Sequence, residues 1–433
     1  MAKYKQYDEY KDSGVEWLGE VPSHWEAKRL GQFFKERREK VSDKDYAALS
    51  VTMKGIVPQL ENAAKSDAGD NRKLVLKNDF VINSRSDRKG SSGTSPFDGS
   101  VSLISIVLEP RDISPSFVHH LLRSYPFQEE FYRYGKGIVA DLWSTNSSEM
   151  KNILIPNIPI DEQTQIASFL DYETAQIDTL IEKQQNLIQL LKEKRQAVIS
   201  HAVTKGLNPD ALMKDSGVEW LGEVPEHWDI VKLKWKASTT SGGTPTTSKY
   251  EDYYEDGDIP WIRTTDLNND KLNETPIMIT PKAVRDSACS LLPKDSVLIA
   301  MYGGAGSIGK HSLLNFESTI NQAVCGVLPS EAFVPDYLHR FYEFYRPFWM
   351  IGAAGTRKDP NIGQDNIKEA RVPIPPLSEQ HQIADYLDKM QSHFDALTES
   401  AEKGIQLMQE RRTALISAAV TGKIDVRGWR AAE

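Results

Sequence analysis

The chain has 433 residues, with 52 Lys and Arg against 61 Asp and Glu, a formal net charge of −9, and 39% hydrophobic and 9% aromatic residues. That length exceeds one ordinary core and predicts about two to four domains, and the mixed composition excludes a disordered or fibrous chain. No apolar run approaches a bilayer span, and the polar start MAKYKQYDEYK lacks the apolar stretch of a signal peptide, so a cytoplasmic protein is expected. The acidic balance at first argues against nucleic acid, but net charge counts only the whole. Local basic loops grip DNA while acidic helices face protein partners in a chain that is acidic overall. Cys289 and Cys325 make neither a disulfide framework nor a zinc site, and both are expected to be buried and reduced.

In chain order, the first element is a header, KDSGVEWLGEVP from Lys11 to Pro22, which returns as the same twelve residues from Lys214 to Pro225. The match runs on through His24 and Trp25 against His227 and Trp228 and through Leu30 against Leu233, at an offset of 203. Two tryptophans per copy, Trp17 with Trp25 and Trp220 with Trp228, read as anchors of a domain's start onto its own core in preference to a peptide-recognition site. Short apolar runs follow, Leu74-Val75-Leu76, Phe80-Val81-Ile82 and Val101 to Leu108, broken by Gly, Asn, Ser and Pro, which predicts twisted strands and loops. A short helix is expected near Pro115 to Tyr125.

A long helix is predicted next, from an acidic first turn at Asp161-Glu162 to about Lys205, free of internal Pro and Gly. Its apolar residues Ile166, Leu170, Ile177, Leu180, Leu187, Leu191 and Val198, with Glu173, Gln184 and Lys194 as polar interruptions, follow alternating four- and three-residue steps, which suits a coiled-coil seam. Roughly 45 residues at about 1.5 Å each give about 65 Å. The second half repeats the plan, with a strand at Val297-Leu298-Ile299 and a short helix near Pro335 to Tyr345. Its long helix starts at Ser378-Glu379 and carries Ile383, Leu387, Phe394, Leu397, Ile405, Leu407, Leu415 and Ile416, less regularly because of Gly404. PIDEQTQIASFLD, Pro159 to Asp171, aligns with PLSEQHQIADYLD, Pro376 to Asp388, at an offset of 217, so the second half is 14 residues longer between Leu233 and Lys294. Two unrelated amphipathic helices, each on its own domain, are the alternative to a pair.

Other motifs fall short of chemistry. Gly304 to Lys310 nearly spells a phosphate-binding loop, but His311 stands where a hydroxyl normally holds magnesium, and a tight Gly-rich loop is the better reading. The motifs of amino-methyltransferases, a methyl-donor loop and a helicase-like acidic box are missing from the sequence. His119, His120, His24 and His227 have no partners at metal-ligand spacing and read as solvated or core-edge histidines. Scattered acidic and basic trios are expected by chance.

The order of variable block, long helix, variable block, long helix resembles the specificity subunit of type I restriction-modification systems. The paired Gly-Val-Glu-Trp-Leu-Gly-Glu-Val-Pro headers and Glu-Gln-x-Gln-Ile-Ala helix starts carry the resemblance, with Ser241-Gly242-Gly243-Thr244-Pro245 and Ile259-Pro260-Trp261-Ile262. It spans nearly the whole chain; the doubled header and helix are specific together, and the first block lacks a clear Ser-Gly-Gly-Thr-Pro counterpart. The resemblance implies an α+β fold of two mixed α/β target recognition domains, 1–155 and 207–372, separated by long helices, 156–206 and 373–425, that form an antiparallel coiled coil with a pseudo-twofold internal repeat. Ile166, Leu170, Ile177, Leu180, Leu187, Leu191, Val198, Ile383, Leu387 and Leu397 are the expected seam.

It further implies a non-catalytic chain whose two domains each read half of a bipartite site in double-stranded DNA, with the helix pair setting the gap. A helix of about 65 Å spans nearly two DNA turns of about 34 to 36 Å. Two methylation subunits and two restriction and motor subunits are the implied partners, directing adenine methylation and the restriction of unmodified DNA. No cofactor is expected on this chain; S-adenosylmethionine, ATP and magnesium belong to the partners. Loops after strands are the candidate DNA contacts: Arg85, Ser86, Arg88, Lys89, Ser91 and Lys136 in the first block, and Thr244, Thr246, Lys249, Arg263, Thr264, Tyr302, Lys310, Arg357 and Lys358 in the second. In these roles Arg reads guanine, Lys holds phosphate and hydroxyls serve either. A fused methyltransferase or nuclease, and a duplicated scaffold without a DNA role, are the rival readings.

Overall fold

The computed structural model describes residues 4–59, 69–137, 143–303, 306–353 and 361–431. Packing divides the chain into two compact units, Met1–Gln185 with Glu402–Glu433, and Asn186–Ala401. Each unit therefore holds one globular block and a part of both long helices, Ile160–Lys205 and Leu377–Val420.

In the first unit an antiparallel sheet runs in the order Ser92–Thr94, Phe80–Asn83, Ser105–Pro110, Phe34–Glu36. The two-residue period of its strands sorts the side chains. Phe80, Ile82, Ile106 and Leu108 join the main core with Phe117, Leu121, Phe127 and Phe131, whereas Val81 and Val107 turn to a smaller core with Leu49, Ile56, Val75 and Val101. The second unit repeats this in a five-stranded sheet ordered Thr239–Ser241, Val324–Val327, Val297–Ala300, His311–Leu314, Lys271–Leu272. There Val297 and Ile299 face one core, and Leu298 and Ala300 the other. Both cysteines are buried and free.

The short helices differ from expectation. Where one was expected near Pro115 to Tyr125 the first unit has two, Pro115–Leu121 and Tyr125–Arg133, because Ser124 caps the second through its hydroxyl at Phe127 N, with a proline in its first turn. At the corresponding place the second unit has a single helix, Pro335–Ala353, that continues through Pro347.

The repeated Glu-Gln at the start of each long helix is a clamp. Glu162 accepts hydrogen bonds from the Trp25 indole at 3.1 Å and the Tyr7 hydroxyl at 2.6 Å and lies 2.9 Å from His24 Nε2, while Gln163 accepts from Ser114 N and donates to Ile158 O. In the second unit Glu379 holds Trp228 and His227, and Gln380 joins Val334 N to Pro375 O. Trp25 and Trp228 are fully buried. Each also meets the end of a long helix. A Cβ on Gly422 would stand 2.9 Å from the Trp25 ring, and one on Gly206 would stand 3.1 Å from the Trp228 ring, and both glycines have positive φ.

The long helices pair antiparallel, as each unit shows by itself. In the first, Gln165 reaches Trp429 and, further along, Asp178 reaches Arg412. In the second, Arg195 reaches Asp395, and Tyr337 donates to both Val203 O and Pro373 O. Along the first helix the inward positions are Leu170, Thr174, Ile177, Ile181, Gln184, Ile188, Leu191, Arg195 and Val198, in unbroken four- and three-residue steps. The second helix keeps the same phase 217 residues later, with Leu387, Phe394, Ala401 and Leu415 buried.

The expected seam is therefore corrected at three places. Ile166, Leu170, Ile177, Ile383 and Leu387 are buried and Leu191 and Val198 half-buried, but Leu180, Leu187 and Leu397 are 50%, 42% and 40% exposed. Each lies one position before the inward residue, Ile181, Ile188 or Thr398. One step rotates a side chain about 100° around the helix, which carries it off the partner.

Candidate nucleic-acid interface

In the first unit the strand Phe80–Asn83 feeds a short 3-10 turn, Ser86–Arg88, before Ser92–Thr94 begins. The turn is tied down: Arg85 N donates to Asn83 Oδ1 at 3.1 Å, Ser86 N to Trp143 O at 2.8 Å, and Ser91 N to Arg88 O at 3.0 Å. Ser144 forms bridges to both Arg85 and Lys136, so residues 51 positions apart share one ladder. Arg85, Arg88, Lys89 and Lys136 are exposed, Ser86 is half-buried and Ser91 is buried, so Ser91 serves the loop's backbone and offers no free hydroxyl face. Carboxylates hold several of the cations: Glu129 pairs with Lys89, Glu149 with Lys136 at 2.7 Å, and Asp87 with Arg88 at 3.6 Å. Arg85 has no ion pair among the described residues, which leaves its guanidinium the free donor fork of this loop.

In the second unit the Ser-Gly-Gly-Thr-Pro run leaves the strand Thr239–Ser241 and crosses the turn after Thr319–Ile320. Gly242 lies so close to the Ile320 carbonyl that no Cβ fits, Gly243 N donates to Ile320 O at 3.1 Å, and the Trp261 indole donates to Gly243 O at 3.0 Å. The Tyr254 hydroxyl donates to Pro245 O at 2.5 Å. The loop after Val297–Ala300 arrives at the same place, where Tyr302 donates to Gln322 O at 3.0 Å and Thr244 donates to Gln322 Oε1. A Cβ on Gly303 would meet the Thr264 hydroxyl oxygen at 3.3 Å, so Thr264, which is buried, closes the cluster from below.

The other candidates are dispersed. Thr246 caps a 3-10 turn whose Lys249 lies over the Tyr253 ring at 5.4 Å. Arg263 is engaged by Asp266 through Nε at 3.2 Å and Nη2 at 3.1 Å, so it is not a free reader. Lys310 is half-buried without an ion pair among the described residues, and Arg357 and Lys358 lie outside the described residues. Sequence reasoning did not single out Gln322, Trp143 or Ser144, which hold these loops together; the two consecutive amides Asn321 and Gln322 after the Thr319–Ile320 strand were the one local signal for Gln322. The phosphate-loop look-alike leads from Val297–Ala300 into a strand, His311–Leu314, and not into a helix whose N-terminus would bind phosphate.

The histidines are structural. His120 is buried and bonded at 2.7 Å to Asp171, whose side chain is exposed, which places it at the edge of the core. Burial, then Arg123, pushes His119 down to about 3, and it sits 2.6 Å from Arg123 Nη1 as a neutral acceptor. No group of three or more His, Cys, Asp or Glu among the described residues is arranged to hold a metal, and no described helix is long and apolar enough to cross a membrane.

Duplicated sheet units with hydroxyl- and cation-bearing loops at strand ends fit the match of residues 225–407 to the type I restriction modification DNA specificity domain. The curated proteins that the chain is similar to are named type I restriction enzyme specificity subunits. It is 22% identical over 439 residues to a putative MjaX specificity subunit of Methanocaldococcus jannaschii, covering 95% of this chain and 96% of that one. The EcoKI specificity subunit of Escherichia coli is 29% identical over 214 residues, 48% of this chain and 46% of its own length. In fold, it resembles the HsdS subunit from Thermoanaerobacter tengcongensis with a TM-score of 0.56 at 18% identity, over 93% of this chain and 98% of that one. A chain from a structural study of type I R-M complex assembly gives a TM-score of 0.73 at 16% identity, over 92% and 98%.

Proposed function

We propose that this chain is the non-catalytic DNA-reading subunit of a cytoplasmic type I complex, each globular block reading one half of a bipartite site and the helix pair fixing the gap. The observation that carries this is the repeat itself: the same sheet, clamp and helix phase occur twice, with different loops at the strand ends. Two like units with unlike loops suit a split site of two different halves. The 46-residue first helix corresponds to roughly 69 Å, nearly two turns of duplex.

The repeat also supports two methylation subunits as partners. Leu180 and Leu397 are equivalent and exposed by 50% and 40%, and Leu190 and Leu407 by 61% and 56%. The same apolar residues are thus left uncovered twice, as two like docking surfaces require. In this reading S-adenosylmethionine, ATP and magnesium are handled by the methylation, restriction and motor subunits, which methylate adenine and cut unmodified DNA at the direction of this chain.

The test is substitution of Arg85, Arg88 and Lys89 together, with the complex expressed in cells and its methylated motif read by methylation-sensitive sequencing. One half-site is expected to relax or disappear while the other keeps its preference. Equal change at both halves overturns the modular reading.

A further inference from the structure

We infer that Gln322 reads a base in the second half-site and that its side chain is set to donate, favouring guanine at one position. This rests on the DNA-reading function proposed above. Gln322 is exposed at the tip of a turn that is unusually well held: Asn321 N donates to Ile262 O at 2.9 Å, Ala323 N to Asn321 Oδ1 at 3.1 Å, and Met301 N to Ala323 O at 2.8 Å. Its main-chain carbonyl takes the Tyr302 hydroxyl and its side-chain carbonyl takes the Thr244 hydroxyl.

An amide side chain has one acceptor oxygen and two N–H donors. Thr244 occupies one of the two Oε1 lone pairs and fixes the amide's orientation, and neither Nε2 hydrogen has a partner among the described residues, so both are available to a ligand. The major-groove edge of guanine presents two adjacent acceptors, N7 and O6, whereas adenine presents one acceptor beside a donor. A pre-set donor edge therefore favours guanine. The rigidity beneath it, from Gly242 against Ile320 and Gly243 against Trp261, spares the ordering entropy that a free glutamine would lose on binding.

The first unit has no such device at the corresponding place. Ile299 pairs with Cys325 and Ile82 with Ile106, and three residues before each partner stand Gln322 and Leu103. Any effect of Gln322 is thereby confined to one half-site.

The experiment uses the full chain co-expressed with its methylation subunits, read by methylation-sensitive sequencing of host DNA. Wild type is expected to show a guanine at one position of one half-site that becomes degenerate in Gln322→Leu, with roughly ten- to a hundredfold loss of discrimination there. Gln322→Glu, an acceptor, is expected to move that position toward cytosine, whose N4 amine donates. Thr244→Val frees the carbonyl and is expected to relax the same position alone. Unchanged motifs in both Gln322 variants, or a wild-type position that is adenine, overturn the inference while leaving the DNA-reading function standing. A wild-type complex that methylates no specific motif overturns that function, and the inference with it. Because Gln322 is exposed, matched melting temperatures confirm that each variant is folded.

Discussion

Arg412 grips Asp178 across the helix pair with Nε at 2.8 Å and Nη2 at 3.2 Å. The pair Arg195 with Asp395 is its repeat equivalent at the same offset of 217. The two are not equal in strength. Asp178 and Arg412 are 52% and 36% exposed, so water screens them and Asp178→Ala is expected to cost about 0.2 to 1 kcal/mol. Arg195 also meets Glu343, whose side chain is only 14% exposed, so Arg195→Ala is expected to cost more. Chemical denaturation of both variants checks the order; equal losses contradict it.

Two glycines should respond oppositely to alanine. Gly422 ends the second long helix at φ 73°, and a Cβ there would lie 2.8 Å from Pro22 Cγ and 2.9 Å from the Trp25 ring. Gly422→Ala is expected to cost about 1 to 3 kcal/mol through strain and overpacking. Gly404 lies inside the helix with nothing within 4 Å of its added Cβ, so Gly404→Ala is expected to stabilise by roughly 0.5 to 1 kcal/mol. Thermal unfolding reads both.

Acid should weaken the second unit through a histidine pair. His311 and His339 are each 1% exposed with ring centroids 4.7 Å apart, and His311 Nδ1 and His339 Nε2 have no hydrogen-bond partner among the described residues. Burial, then Arg346 and Arg340, pushes His311 down to about 3, and burial, then His311, Arg340 and Lys271, pushes His339 well below its ordinary value. Both are neutral in the fold at pH 7. Because the folded values lie below the unfolded value near 6.5, their contribution is complete above about 6.5 and is lost as pH falls toward 3, by up to about 1.4 kcal/mol per unit for each ring. Unfolding free energies measured from pH 7 to pH 5 should fall less steeply in His339→Leu; an identical slope would remove the pair as the cause.

The exposed leucines give a test of partner number. Leu180→Asp is expected to remove one methylation subunit and Leu397→Asp the other, with little loss of stability because both side chains are already 50% and 40% exposed. Native mass measurement should then show one partner in each single variant and none in the double. A full complement in the double variant would place docking elsewhere.

The helix pair as a ruler is tested by one heptad inserted after Leu187 and another after its repeat equivalent Gly404, which keeps the seam phase. Seven residues add about 10 Å, or about three base pairs at about 3.4 Å each. The methylated motif should keep both halves and widen its gap. An active double insertion with the old spacing would contradict the ruler, and a heptad in one helix alone should mainly cost stability.

The amino-acid sequence by itself determined the duplication, the two long helices, the short apolar strands and the burial of Trp25 and Trp228, because each is written in local period, exact repetition or composition. The tertiary structure decided three things that no local pattern holds. Leu180 and Ile181 are both apolar neighbours, and only the facing helix selects Ile181 for the seam and leaves Leu180 outside. Trp25 meets Gly422 across nearly the whole length of the chain, a contact without any signature near either residue. Thr244, Tyr302 and Gln322 come from three separate loops, and only the strand order of one sheet brings their hydroxyls and amide to a single point. Periodicity fixes which way a side chain points along its own element; what it points at depends on packing that residues far away in the chain supply.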